Sequence, residues 1–514
     1  MELVQKNIHF NRLAKEVRNQ ITLEEDVNIP DTKEDIEEIL FTRHNVVLEE
    51  VKTGEQKVHI MGKMQFFILY RSEETGQLCS LTGSVPIEEQ LYMEEIHNSD
   101  KVAVKTKVED FSVGMINSRK ISVQSILELY AYVQDMYDEQ ITIGVNDLDC
   151  EILQKECDFS QLIVCKKDVL RLRENITIPN NMPNVEELIF SSIKVCEIEY
   201  KPLDGQLSVQ GKIAVFLLYD GERDLKGQMY QTIIPFTTTL ECSGSKPNMI
   251  FQICYEVIDS QVHLETDFDG EARSFSVELV LELDMKMYEP QKVNVLWDIY
   301  GIQKEMIPVN REIHYSLLSG QYCGKIKVMD RVPVEMEEDT RMKVVYWEGD
   351  ALLESCEMTK EGVVIKGILA CQVLYACEGE MNEFGCHRFM IPFMKKMEDI
   401  RYIEAAGCSA CVHCNDLQIS FDMGGNLEVS ANVAYNLLVS EQTSGKNIVN
   451  IEVKERATDK DDNLPSMAVC FLTGRETLWE LGKKYCVPIK QIKEMNQLSS
   501  DEIKEGEKIL IVRG

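Results

Sequence analysis

Nowhere in its 514 residues does this chain approach eighteen consecutive apolar side chains, so no helix is expected to cross a membrane. The amino-terminal stretch, MELVQKNIHFNRLAKEVRNQ, has neither an uninterrupted apolar core nor a small-residue cleavage site, which argues against a secretory signal. Basic residues are scarce. Lys and Arg total 54 against 87 Asp and Glu, a net charge of −33. Such an acidic chain is repelled by nucleic acid and by anionic lipid, which disfavours both as partners. Glycine-rich phosphate loops, a G-x-S-x-G elbow and an H-E-x-x-H helix are all missing. Carboxylates are so numerous that chance pairs are certain and cannot be read as general acid and base. Neither an enzyme nor a cofactor is expected. The 17 cysteines are odd in number, and several (Cys196, Cys254, Cys371) lie in apolar strand-like runs, as reduced thiols used as small hydrophobes do. The expected compartment is the cytosol.

What the chain does contain is repetition. VHIMGKMQFFILY, LSVQGKIAVFLLY and VVIKGILACQVLY align on Gly62, Gly211 and Gly367, each followed eight residues later by Tyr70, Tyr219 or Tyr375. Pro86, Pro235 and Pro392 follow the glycines at 24, 24 and 25 residues, and Pro30, Pro179 and Pro333 precede them at 32, 32 and 34. Positions +2, +4, +6 and +8 are apolar in all three copies: Met64, Phe66, Ile68 and Tyr70; Ile213, Val215, Leu217 and Tyr219; Leu369, Cys371, Val373 and Tyr375. A two-residue period with one apolar face predicts a strand packed on a core, opened by the glycine and ending at a buried tyrosine. Further alternating runs (121–133, 275–288, 427–438) complete an antiparallel, sandwich-like domain in each copy. Ile36–Phe41 and Val185–Phe190 read as a short edge helix. Nearest-neighbour docking of the copies predicts an elongated body.

The domain reading is therefore an N-terminal segment at 1–20 with helical spacing, β-repeats at 21–140, 165–290 and 318–442, a polar flexible tether at 443–466, and a small module at 467–514. From residue 464 onward eight basic residues meet seven acidic ones, so this module is near +1 and the rest of the chain near −34. Cys408-x-x-Cys411-x-His413-Cys414 is the one cluster with ligand character. Four soft ligands in seven residues could hold zinc. No second ligand pair stands at a familiar distance, however, and the other two copies lack these residues. Ordinary buried thiols are the favoured reading.

The last module reads strand, helix, helix, strand. An apolar run at Ala468–Leu472 is followed by Glu476-Thr477-Leu478-Trp479, with Leu478, Leu481 and Tyr485 at helical spacing. Val487-Pro488 breaks that helix, Ile489, Ile492 and Met495 mark a second one ending at Asn496, and Gly506 turns the chain into a strand at 508–512. These residues make the segment resemble a LysM domain. Arg475 stands where the family usually has glycine and Glu505 where it often has proline, both beside its glycan groove. The resemblance thus implies the fold more than sugar binding. If the module binds a protein, the candidate anchors are Glu476, Thr477, Trp479, Lys483, Lys484, Ile492 and Asn496, with the two lysines suited to an acidic partner.

Three acidic β-repeats ahead of one LysM module resemble the SPOCS-domain proteins of endospore-forming bacteria. The fold class expected is mainly β, with three antiparallel sandwich-like domains and a small α+β domain. The resemblance implies a non-enzymatic scaffold of spore-coat assembly in the mother-cell cytosol, at the forespore surface. Its LysM module would bind the coat's basement-layer ATPase, stage IV sporulation protein A, with other coat proteins as further partners. The rival expectation is a cell-envelope protein that binds peptidoglycan or another glycan through LysM.

Overall fold

The computed structural model describes all residues except 1, 99, 147–148, 224, 267–268, 335–340, 379–382, 405, 456–464, 473–476, 501–505 and 514. The first copy is built from β1 (Leu3–Asn28), β2 (Ile36–Gly54), β3 (Lys57–Ser72), β4 (Leu78–Tyr92), β5 (Val102–Asn117) and β6 (Lys120–Val145). The second follows as β7 (Cys150–Thr177), β8 (Val185–Leu203), β9 (Gln206–Gly221), β10 (Leu225–Glu241), β11 (Ile250–Thr266) and β12 (Ala272–Gly301). The third runs β13 (Glu305–Val332), β14 (Arg341–Thr359), β15 (Gly362–Glu378), β16 (Glu383–Met397), β17 (Ala406–Phe421) and β18 (Leu427–Lys454). Each copy makes two three-stranded antiparallel sheets in one repeated order: β2-β3-β4 with β1-β6-β5, β8-β9-β10 with β7-β12-β11, and β14-β15-β16 with β13-β18-β17. Among the described residues no helix is long and apolar enough to cross a membrane.

The apolar face read from the repeat is the core in every copy. Met64, Phe66, Ile68 and Tyr70 are buried in the first, Ile213 to Tyr219 at alternate positions in the second, and Leu369, Cys371 and Val373 in the third. Tyr70 and Tyr219 are fully buried and donate their hydroxyls to the carbonyls of Glu34 (3.0 Å) and Pro183 (3.3 Å). Tyr375 is only half-buried, with its ring against the edge of Phe421. The glycines sit inside β3, β9 and β15 rather than opening them. A Cβ at Gly62, Gly211 or Gly367 would strike the carbonyl oxygen of Val47, Glu197 or Leu352 on the neighbouring strand. Each neighbour is bulged at that level (Leu48/Glu50, Val195/Glu197, Leu353/Ser355), and the bulge pushes its backbone toward the glycine. Pro86, Pro235 and Pro392 occupy β4, β10 and β16, the outer strands of their sheets, where a missing N–H need not break a ladder.

Several expectations are corrected. Residues 3–20 are not helical but form the outer part of β1, paired with β6. The segments at Ile36–Phe41 and Val185–Phe190 are strand as well. Bulges at Ile36/Glu38 and Ile39/Phe41, and at Val185/Glu187 and Leu188/Phe190, add residues that convert a two-residue apolar period into helix-like spacing. Residues 443–454 continue β18 against β13 instead of forming a tether. The intervals 141–164 and 291–317 are not separators either, because β6, β7, β12 and β13 run through them.

Nor do the copies stack into an elongated array. Phe41, Phe190 and Tyr346 each lie 21 residues before a repeat glycine, and their rings meet pairwise at 5.6, 5.7 and 4.9 Å between centroids. Phe10, Phe159 and Tyr315, each 52 residues before a glycine, meet likewise at 6.1, 5.5 and 4.9 Å. Equivalent residues of all three copies thus converge twice, which is the signature of a pseudo-three-fold ring. The first copy touches the third directly, with Arg388 donating to the Phe111 carbonyl at 3.3 Å and to Thr42, and Tyr137 donating to the His314 carbonyl at 3.1 Å. The close approach at the repeat glycines is testable. Gly211→Ala should lower unfolding free energy by about 1–3 kcal/mol through overpacking against Glu197 and Phe236. Gly114→Ala, which has open space around it, should be near neutral in the same denaturant titration.

Candidate functional site

The C-terminal module comprises β19 (Met467–Phe471), α1 (Leu478–Tyr485), α2 (Ile489–Asn496) and β20 (Lys508–Val512), with β19 and β20 paired antiparallel. Thr477 starts α1 as its N-cap. Its hydroxyl accepts from the Glu480 N–H at 3.2 Å while the Glu480 carboxylate accepts from the Thr477 N–H at 3.0 Å, a reciprocal capping box. Cys486 ends the helix in a left-handed conformation with φ of 58°. Ile492 is buried among Leu472, Leu478, Leu481, Val487, Ile509 and Ile511. Asn496 braces α2 to β20, donating to the carbonyls of Ile492 (2.8 Å) and Leu510 (2.7 Å) and accepting from the Leu510 N–H (2.7 Å). Thr477, Ile492 and Asn496 are therefore the internal frame of the module.

Trp479 and Lys483 point elsewhere, onto the body. The Trp479 indole N–H donates to Asp298 of β12 at 2.9 Å, and Lys483 reaches both oxygens of the same carboxylate at 2.6 and 2.7 Å. The edge of Trp479 meets Tyr300 at 4.9 Å, and Tyr300 donates its hydroxyl to the Val487 carbonyl at 2.9 Å. Gly482 leaves room for that hydroxyl, since a Cβ there would overlap it. Trp479 is 9% exposed as a result. Burial pushes the Asp298 carboxyl upward, but hydrogen bonds from Lys483 and Trp479 outweigh it and hold the group below its ordinary value. Asp298 and Tyr300 were invisible to sequence reasoning, because their segment fell between the assigned repeats. Lys484 stays exposed, its ammonium over the Tyr485 ring at 5.4 Å. Glu476 lies outside the described residues.

The cysteine cluster occupies β17, and strand alternation splits it. Cys408 and Cys414 pack toward the core of the third copy, with Cys408 beside Cys356. Cys411 and His413 face the second copy instead. Cys411 joins Cys254 of β11 in a disulfide, with Cα atoms 6.0 Å apart, and His413 stacks on Tyr255 at 4.2 Å. The reading of Cys254 as a free thiol is thereby corrected: β11 and β17 abut at the junction of two copies, a long-range adjacency with no local signal. Burial pushes His413 down to about 4, so the ring is neutral at neutral pH. Four side chains on opposite faces cannot share one ion, and among the described residues no His, Cys, Asp or Glu group is arranged to hold a metal.

A cavity of about 1790 Å³ opens between the copies above the first aromatic trio. Arg43, Ser192 and Glu348 hold equivalent places there, as do Asn45, Lys194 and Asp350. Lys194 lies 3.6 Å from Glu348 and 3.8 Å from Asp350, and Arg43 lies 3.9 Å from Glu348. Burial works against the charge on Glu348, yet Lys194 and Arg43 hold its carboxyl low. Opposite charges thus compensate one another at this level of the cavity.

A family model for the SipL SPOCS domain matches residues 35–116 and 184–265, and one for the LysM domain matches 475–512. The chain carries SipL-type SPOCS domains and a LysM domain. No curated protein and no solved structure shows significant similarity to it. The two SPOCS matches fall on the first two copies, and the third shares their strand order without a match of its own. SPOCS and LysM are non-catalytic domain families.

The dock of the LysM domain on β12 should respond to acid. Free Asp298 titrates near the ordinary value of 3.8, and the docked carboxylate titrates lower. Its stabilising contribution is therefore full at neutral pH and is lost as pH falls below about 4 and through the depressed value. The Trp479 indole N–H resonance of the intact chain should shift over that range. Asp298→Asn should show the undocked position already at pH 7 and no such titration.

Proposed function

We propose that this chain is a non-enzymatic scaffold of spore-coat assembly that uses its C-terminal LysM domain to engage the coat's basement-layer ATPase, a protein of the stage IV sporulation protein A type. The SPOCS and LysM matches support a sporulation protein with a LysM module, and the ATPase is the finer step of this reading. The observation that carries the scaffold role is the Asp298 clamp. Two hydrogen-bonding side chains on α1 and one tyrosine on β12 hold the LysM domain against a body built as a closed ring. A binding module fixed to a broad β body suits a protein that positions a partner rather than transforms it. Charge fits as well, since the module sits near +1 on a body near −34 and gives an acidic partner one place to approach. In this reading the protein acts in the mother-cell cytosol at the forespore surface, where other coat proteins can reach the three repeats.

Purified full-length chain tests this against its rival. It should retain the purified coat ATPase on a column and leave peptidoglycan in the unbound fraction, and a fluorescent fusion should ring the forespore. Retention of peptidoglycan without the ATPase would move the protein to the cell-envelope reading.

A further inference from the structure

With α1 turned toward Asp298, the LysM domain has another face that is open and apolar. Met467, Val469 and Phe471 alternate along β19 and are 60%, 53% and 66% exposed. Their neighbours Ala468 and Cys470 point to the other face, where Cys470 packs on the module's core. Leu510, paired with Val469, extends the open face across β20, and Lys508, paired with Phe471, places its ammonium 5.2 Å from the Phe471 ring.

The backbone of β19 is equally open. The Arg513 N–H donates to the Ser466 carbonyl and the Leu472 N–H to the Glu507 carbonyl, so even-numbered residues carry the ladder to β20. Odd-numbered residues of an antiparallel strand then direct their N–H and C=O groups to the opposite edge. Among the described residues the two-stranded sheet ends at β19 on that side, whereas the outer edge of β20 is closed by the Asn496 amide on Leu510. The contrast with the body is informative. Its outer strands β4, β10 and β16 carry proline, and β19, Met-Ala-Val-Cys-Phe, carries neither proline nor charge. An edge strand left apolar and unguarded is a template for pairing with another chain.

We propose that the partner-recognition surface of the LysM domain is the free edge and outer face of β19, which accepts an extended segment as an added strand. The occupant presents one face to this sheet, with apolar side chains over Val469 and Phe471 and, on that same face, a carboxylate that meets the Lys508 ammonium beside the Phe471 ring. Charge favours it: the module is near +1 and the body near −34. The surface rests on the proposed role of LysM as the partner-binding module, and it moves recognition away from the α1 lysines.

Two ligands keep the surface and the partner's identity apart. One is a synthetic peptide of alternating valine and threonine with one glutamate in place of a valine at the end of the valine face, the other the purified coat ATPase, both titrated against full-length chain. Val469→Pro removes an N–H that serves only the open edge, and Phe471→Ser removes the largest apolar contact. With circular dichroism unchanged, each should weaken peptide binding at least tenfold, while Lys484→Glu should change it less than threefold. Peptide binding that survives Val469→Pro, or no peptide binding to wild type, would overturn the proposal. So would a sedimenting dimer that Val469→Pro dissolves, because the strand would then serve a second copy. If the peptide binds at Val469 and the ATPase does not bind at all, the edge stands and the proposed function fails.

Discussion

Two three-way aromatic contacts hold this body in its shape. A single copy would leave Phe41, or its counterpart Phe190 or Tyr346, facing water together with Leu69, Leu218 or Leu374 from the adjacent strand. Rings of this size dominate packing energies, so each copy is incomplete until two others cover it. Because the three positions are equivalent, the solution is a closed ring rather than a stack. The second trio, Phe10, Phe159 and Tyr315, repeats the arrangement on the outer parts of the long strands. That also explains why β1, β7 and β13 run on beyond the cores they help to close.

Symmetry at the axis creates an electrostatic difficulty that divergence resolves. Residues two places past each first-trio aromatic are Arg43, Ser192 and Glu348, and those four places past are Asn45, Lys194 and Asp350. Three copies of any one charge would repel at short range in a partly dry setting. One cation, one hydroxyl and one anion instead neutralise the ring. The Tyr346 hydroxyl, the only one in its trio, donates at 2.7 Å to Ser192. Two of the copies also share an arginine at the same place in the fold. Arg119 donates to the Lys33 carbonyl and Asp35, and Arg273 donates to the Met182 carbonyl and Asn184, at matching turns.

The length of β12 has consequences at the carboxyl end. By running past its own core it carries Asp298 and Tyr300 out to where α1 arrives, and a small domain with few buried residues gains a rigid seat. One helix face is thereby committed to the body. The same geometry leaves β19, on the far side of the module's thin core, as its open apolar surface.

Much of this was legible in the residues. Two-residue alternation after Gly62, Gly211 and Gly367 determined the core face of each copy, and Thr477, Trp479 and Asn496 at their spacing determined the LysM fold, because such patterns depend on neighbours within a few residues. Local patterns failed where bulges altered the period, as at Ile36–Phe41, and where a strand outran its core, as at 3–20 and 443–454. Function-bearing geometry depended on contacts across hundreds of residues: Trp479 with Asp298, Cys254 with Cys411, Phe41 with Tyr346. Local alternation, spacing and composition thus set the β-repeats, the terminal module and their charge contrast. Closure of the copies into a ring and the inward turn of α1 come from long-range packing, since both follow from which apolar faces find each other once every copy has folded.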